Sequence, residues 1–85
     1  MADITLVTGA AGNLGRAVAA ALAARGGTVV ALDRVSAPLE AMVAGLPGSG
    51  HMVLAGVDLG DGPACEAAVA AVMARFGRLD GVVHT

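Results

Sequence analysis

Three glycines spaced by two residues, Gly9, Gly12 and Gly15, stand between an apolar run that reads as a strand, Ile4-Thr5-Leu6-Val7, and an alanine-rich run that reads as a helix, Arg16 to Leu22. No other stretch constrains the fold as much. A strand that passes through a glycine turn straight into a helix leaves the first helical N–H groups unpaired, aimed outward at the positive end of the macrodipole. An anion fits there, and glycine lets it touch backbone that a Cβ would hold at a distance. The turn Thr8-Gly9-Ala10-Ala11-Gly12-Asn13-Leu14-Gly15 therefore reads as a cradle for a pyrophosphate, with Asn13 and Leu14 counted with the glycines among the residues that hold it. Its spacing is Gly-x-x-Gly-x-x-Gly, not the commoner Gly-x-Gly-x-x-Gly.

The rest of the chain repeats the same alternation. Apolar runs rich in β-branched residues predict strands at Ile4–Thr8, Thr28–Asp33, Met52–Asp58 and Gly81–Thr85. The runs are nearly continuous, as in strands covered on both faces. Helices are predicted between them. The first covers Asn13–Ala24 and is closed by Gly26-Gly27, with Val18 and Leu22 as the bulk on an otherwise alanine-lined face. The second covers Pro38–Ala44 and runs into the loop Leu46-Pro47-Gly48-Ser49-Gly50. The third starts after the N-cap candidate Asp61 and ends at Phe76, with Cys65, Val69, Val72 and Phe76 at helical spacing on the sheet-facing stripe. The fold class is α/β: a partial Rossmann-type parallel sheet, β-α-β-α-β-α-β, with strand order 3-2-1-4 and right-handed crossovers.

Charge and composition remove several function classes. The formal net charge of −2 and the scattered arginines give no basic stripe, so nucleic acid is not expected as a partner. The longest apolar stretch, Ala17 to Ala24, is far short of the roughly 20 residues of a membrane span, so no membrane partner is expected. A single cysteine, Cys65, excludes an internal disulfide and suits a cytoplasmic protein. His51 and His84 lack cysteines or acids at ligand spacing, so no metal site is predicted. Arg16, directly after the last glycine, is either a phosphate contact or a solvated first-turn residue.

Asp33 closes the second strand about 20 residues beyond the glycine turn, where a dinucleotide fold places the acid that accepts hydrogen bonds from the adenosine ribose hydroxyls. A carboxylate there repels a 2′-phosphate and favours NAD over NADP. The neighbouring Arg34 argues the other way, since a guanidinium can pair with that phosphate.

Taken in order, Thr8-Gly9-Ala10-Ala11-Gly12-Asn13-Leu14-Gly15, Asp33, Val57-Asp58-Leu59 and Phe76-Gly77-Arg78-Leu79-Asp80-Gly81-Val82-Val83-His84 resemble the start of a short-chain dehydrogenase/reductase. The resemblance runs the length of the chain. It implies the N-terminal part of a Rossmann domain over residues 1–85, binding the ADP half of NAD(H), with Asp58 against the adenine and the backbone of Leu59 beside it. The glycine turn itself is closer to the family's extended branch, which includes sugar-nucleotide epimerases, although mixed forms occur in the larger branch. The family's hydride chemistry uses a tyrosine, a lysine four residues later and a serine. This chain contains no tyrosine, and its five basic residues are all arginine. No catalytic residue is therefore assigned. The sequence stops at His84-Thr85, part-way into the motif that follows the family's fourth strand, which reads as a fragment or truncation. An alternative of a different class is a self-associating module. An uncovered strand-four edge would pair between copies, in keeping with an apolar content of 56% and a charged content of only 14%.

Overall fold

A computed structural model describes residues 3–85. Its elements are β1 (Ile4–Thr8), α1 (Asn13–Ala24), β2 (Thr28–Asp33), α2 (Ala37–Ala44), β3 (Met52–Ala55), α3 (Gly62–Phe76) and β4 (Gly81–His84). The four strands form one parallel sheet in the order β3-β2-β1-β4, as the alternation of strand and helix predicts.

Strand periodicity divides the core into two layers. Val7, Val29 and Ala31 face one way, against Ala19 and Ala23 of α1 and Leu39 of α2. Ile4, Leu6, Val30 and Leu32 face the other way, against Ala68 and Val72 of α3. Both faces of β1 and β2 are covered, which explains why their sequences are apolar without interruption.

Three details depart from the sequence reading. Strand β3 stops at Ala55 instead of reaching Asp58, because Gly56 adopts φ +72° and turns the chain out of the extended region. On α3, Val72 is buried and Phe76 packs against the core as predicted, but Val69 is exposed and Ala68 takes the inward position instead. On α1 the fully buried positions are Gly15, Ala19 and Ala23, while Val18 and Leu22 are half-buried on the flank. Small side chains let α1 lie close to the sheet. Smaller shifts are that α2 starts at Ala37, one residue before Pro38, and β4 ends at His84, one before Thr85.

Polar clamps fix the loops opposite the glycine turn. Asp80 accepts the Ile4 N–H through Oδ2 at 2.7 Å and pairs with Arg78 through Oδ1 at 2.6 Å. Those contacts, the Arg78 hydrogen bond first and the Ile4 N–H second, hold the Asp80 carboxyl below its usual 3.8. His51 continues the sheet by side chain: its Nδ1 accepts the Val29 N–H at 3.0 Å, just before β3 takes over the pairing, and its Nε2 bonds the Pro47 carbonyl at 2.8 Å. Neither histidine belongs to a group able to hold a metal among the described residues.

Candidate functional site

The carboxyl ends of all four strands converge on one open cleft of about 280 Å³, lined by Gly9 after β1, Leu32, Asp33 and Arg34 at the end of β2, Val57, Asp58 and Leu59 after β3, and Thr85 after β4. The chain moves from β1 outward to β2 and β3, then crosses back to β4 on the other side of β1. A topological switch point of this kind is where open α/β sheets bind ligands.

Each glycine of the turn has a different physical task. Gly9 adopts φ +62°, and a Cβ there would lie 2.7 Å from the Thr85 hydroxyl. Gly15 is buried, and a Cβ on it would overlap the Gly9 carbonyl and stand 2.8 Å from the Ala10 Cα. Gly12 is open by comparison, a Cβ meeting only the Gly9 oxygen at 3.3 Å. Gly12 is also the N-cap of α1, and with no side chain it offers the helix no cap. Its own N–H turns inward to the Gly9 carbonyl at 3.0 Å, and the first bond of the helical ladder runs from Arg16 N–H to the Gly12 carbonyl. The N–H groups of Asn13, Leu14 and Gly15 therefore open the helix with no acceptor four residues back. No acidic side chain occupies that first turn, so the positive end of the helix is not neutralised from within.

Asp33 reaches into this turn. Its Oδ2 accepts the Ala11 N–H at 2.9 Å, and its Oδ1 accepts the Arg34 N–H at 2.7 Å. Each oxygen keeps a second lone-pair direction for a ligand hydroxyl. Beyond it, the Val57 N–H bonds the Asp33 carbonyl at 3.2 Å, which carries the segment after β3 alongside the end of β2. Asp58 accepts the Gly60 N–H through Oδ1 at 2.9 Å and, with Leu59, forms the far wall of the cleft.

Of the residues singled out in the sequence, Gly9, Asp33, Arg34, Asp58 and Leu59 meet in the cleft. Gly12, Asn13, Leu14 and Gly15 form the adjoining turn and helix start, outside the cleft lining, and the Leu14 side chain is exposed. Arg16 borders a separate groove between α1 and α2. Two participants were missed. Thr8 is buried and shares its hydroxyl with His84 Nδ1 at 2.8 Å and the Thr85 N–H at 3.2 Å, while Thr85 returns its own hydroxyl to the Thr8 carbonyl at 2.7 Å. This clip fixes the end of β4 against Gly9. Thr8 and Thr85 are 77 positions apart, and no local pattern announces such a pairing.

The order of these parts matches a known family model, short chain dehydrogenase, over residues 3–85. The chain belongs to the short-chain dehydrogenase family. Among its relatives, a D-threitol dehydrogenase of Mycolicibacterium smegmatis is 39% identical over 84 residues, covering 96% of this chain and 32% of the relative. A D-erythrulose reductase of Gallus gallus is 50% identical over 66 residues, covering 78% of this chain and 26% of the relative. A solved 3-ketoacyl-(acyl-carrier-protein) reductase of Brucella melitensis, complexed with NADH, superposes with a TM-score of 0.82 at 30% identity, covering 94% of this chain and 32% of that one. The short-chain dehydrogenase chain thus spans about a third or less of the length of these relatives. No helix among the described residues is long and apolar enough to cross a membrane.

Proposed function

We propose that residues 1–85 form the cofactor-binding first part of an NAD-dependent oxidoreductase and hold the ADP half of the dinucleotide. One observation carries this reading: the uncapped start of α1, the Asp33 carboxylate and the Asp58–Leu59 wall lie side by side at the carboxyl ends of the sheet. In it the turn from Gly9 through Gly12 to Gly15, with the N–H groups of Asn13 and Leu14, would hold the pyrophosphate. Asp33 takes the ribose hydroxyls, Asp58 and the Leu59 backbone border the adenine, and Arg34 flanks the ribose. When bound, the cofactor would supply the hydride chemistry. The residues of this chain bind and orient it, and the acid–base group and the substrate pocket come from elsewhere in the protein.

NAD is favoured over NADP because the Asp33 carboxylate would repel a 2′-phosphate on the ribose it is proposed to hold, and Arg34 is exposed. That a relative was solved with NADH supports the same choice. The relatives named for D-threitol and D-erythrulose interconvert alcohols and carbonyls, and that reaction class is the one proposed for the whole protein.

Thermal unfolding with NAD, NADP and AMP tests the assignment. NAD at about 100 times its Kd is expected to stabilise the fold by about 2.7 kcal/mol, AMP to act in the same direction, and NADP to bind at least about tenfold more weakly. A melting curve that none of the three moves would overturn it.

A second reading rests on the outer edge of β4, which pairs with no strand among the described residues, and on Val82, 58% exposed on the same sheet face that α3 covers elsewhere. On this reading copies of the chain associate through that edge. It is compatible with cofactor binding and is tested by mass in solution.

A further inference from the structure

Asp33 is held from two sides. The Arg34 N–H fixes Oδ1 and the Ala11 N–H fixes Oδ2, so the carboxylate sits in one orientation at the mouth of the cleft. Seen from the turn, the same contact has another meaning. Two adjacent residues attach the glycine turn to the end of β2: Ala10, whose N–H bonds the Leu32 carbonyl at 3.2 Å, and Ala11, whose N–H bonds Asp33 Oδ2 at 2.9 Å. The second is the shorter, and its acceptor is charged, which makes it the stronger of the two. The next N–H, on Gly12, is already committed to Gly9. Fixing the Ala11 N–H therefore sets the Ala10–Ala11 peptide plane, one residue before the Ala11–Gly12 peptide whose N–H closes on Gly9.

We infer that Asp33 is a positioning residue for the pyrophosphate cradle as well as a ribose ligand. Its side chain bolts the glycine turn to β2, so the anion-binding turn and the sugar-binding acid move as one unit. The inference rests on the cofactor reading above and adds a consequence to it: loss of Asp33 weakens a ligand that has no ribose and never touches the side chain.

Removing the carboxylate also removes a negative charge near the anion, which by itself would strengthen pyrophosphate binding. Two neutral variants cancel that effect. In Asp33→Asn the single amide oxygen is turned to Ala11 at the cost of the Arg34 N–H contact, whereas Asp33→Ala leaves the Ala11 N–H without its partner. Inorganic pyrophosphate binding by calorimetry and Ala11 amide exchange by NMR in the ligand-free full chain are the two readouts. The expected result is pyrophosphate affinity about fivefold weaker, and Ala11 exchange about tenfold faster, in Asp33→Ala than in Asp33→Asn. Equal exchange at Ala11 in the two variants, or equal pyrophosphate affinity, overturns the positioning role. If the unsubstituted chain binds no pyrophosphate, the positioning role is overturned even where Ala11 loses protection in Asp33→Ala alone, and the melting curves with NAD, NADP and AMP decide the cofactor assignment separately. Should Asp33→Ala not fold, Asp33→Ser, whose hydroxyl ends short of Ala11, takes its place with the same expected ordering.

Discussion

At the scale of single residues, the glycines separate folding from binding. A methyl group on Gly15 would overlap the Gly9 carbonyl inside the buried contact between turn and helix. Gly15→Ala is expected to cost about 1–3 kcal/mol in chemical denaturation, as overpacked sites do, and to remove NAD affinity with it. Gly12→Ala differs because its Cβ meets only one atom, at 3.3 Å. Stability should fall by about 0.5–1 kcal/mol, less than at Gly15, because alanine is a poorer N-cap than glycine. NAD affinity should fall at least about tenfold, since the methyl group occupies the approach to the helix N–H groups. Normal NAD binding by folded Gly12→Ala would sink the cradle. Asp80 offers a test at the opposite end of the sheet. Its carboxyl titrates lower in the folded chain than the usual 3.8 because of Arg78 and the Ile4 N–H. A depressed folded value means that the stability it contributes is complete above the ordinary carboxylate range and is lost as pH falls through the folded value. Wild type should exceed Asp80→Asn in urea midpoint near neutral pH, and the gap should close on acidification below about pH 4. A gap unchanged down to pH 2 would remove the clamp. Gly9 and Asp33 were legible in the sequence through a local signature, a strand end that runs into a turn, whereas Asp58 lies beyond the end of β3 and Gly15 inside α1. The Ala11–Asp33 bond and the Thr8–Thr85 clip were not legible, since they join residues that only the sheet brings together.

At the scale of elements, the chain order was legible because β1 and β2, covered on both faces, are apolar throughout, and each crossover needs a helix and its caps. Asp61 illustrates the cap: its side chain accepts from the Ala64 N–H at the start of α3, and at the other end the Gly77 N–H closes on the Met73 carbonyl. What the pattern hid was the orientation of α3. Helical spacing relates Cys65, Val69, Val72 and Phe76 equally well to two adjacent stripes, and hydrophobicity favoured the one containing Val69. The sheet surface selects the stripe with Ala68, because a short side chain brings α3 down onto Leu6 and Val30 while Val72 fills the space beside it. The difference is measurable. Val72 is wholly buried, so Val72→Ala should cost more than about 1.5 kcal/mol. Val69 is 43% exposed, and Val69→Ala should cost no more than about 0.5 kcal/mol. The reverse ranking would mean that α3 is rotated from the orientation described.

At the scale of the whole molecule, the sheet is covered unevenly. Strands β1 and β2 are packed on both faces and paired on both edges. Among the described residues, strand β4 pairs with β1 alone, and of its side chains Val83 joins a core layer, the one beneath α1 and α2. On the other face, Val82 stands in register with Leu6, yet α3 lies over Leu6 and leaves Val82 58% exposed. An edge that carries unpaired backbone groups and an apolar side chain is a template for another strand. The exposed Val69 and Met73 of α3 add apolar surface to the same side of the sheet. Sedimentation velocity on the purified chain should therefore show species heavier than the monomer that dissociate on dilution. Val82→Lys puts a charge on the edge without entering the cleft, where Val82 is not a lining residue. It should shift the distribution to monomer while NAD affinity stays within about twofold of the unsubstituted chain. A strictly monomeric wild type would end the edge-pairing reading and leave the cofactor assignment untouched. Loss of NAD affinity in monomeric Val82→Lys would instead mean that the cleft depends on what covers β4, binding and assembly then being one property of the sheet.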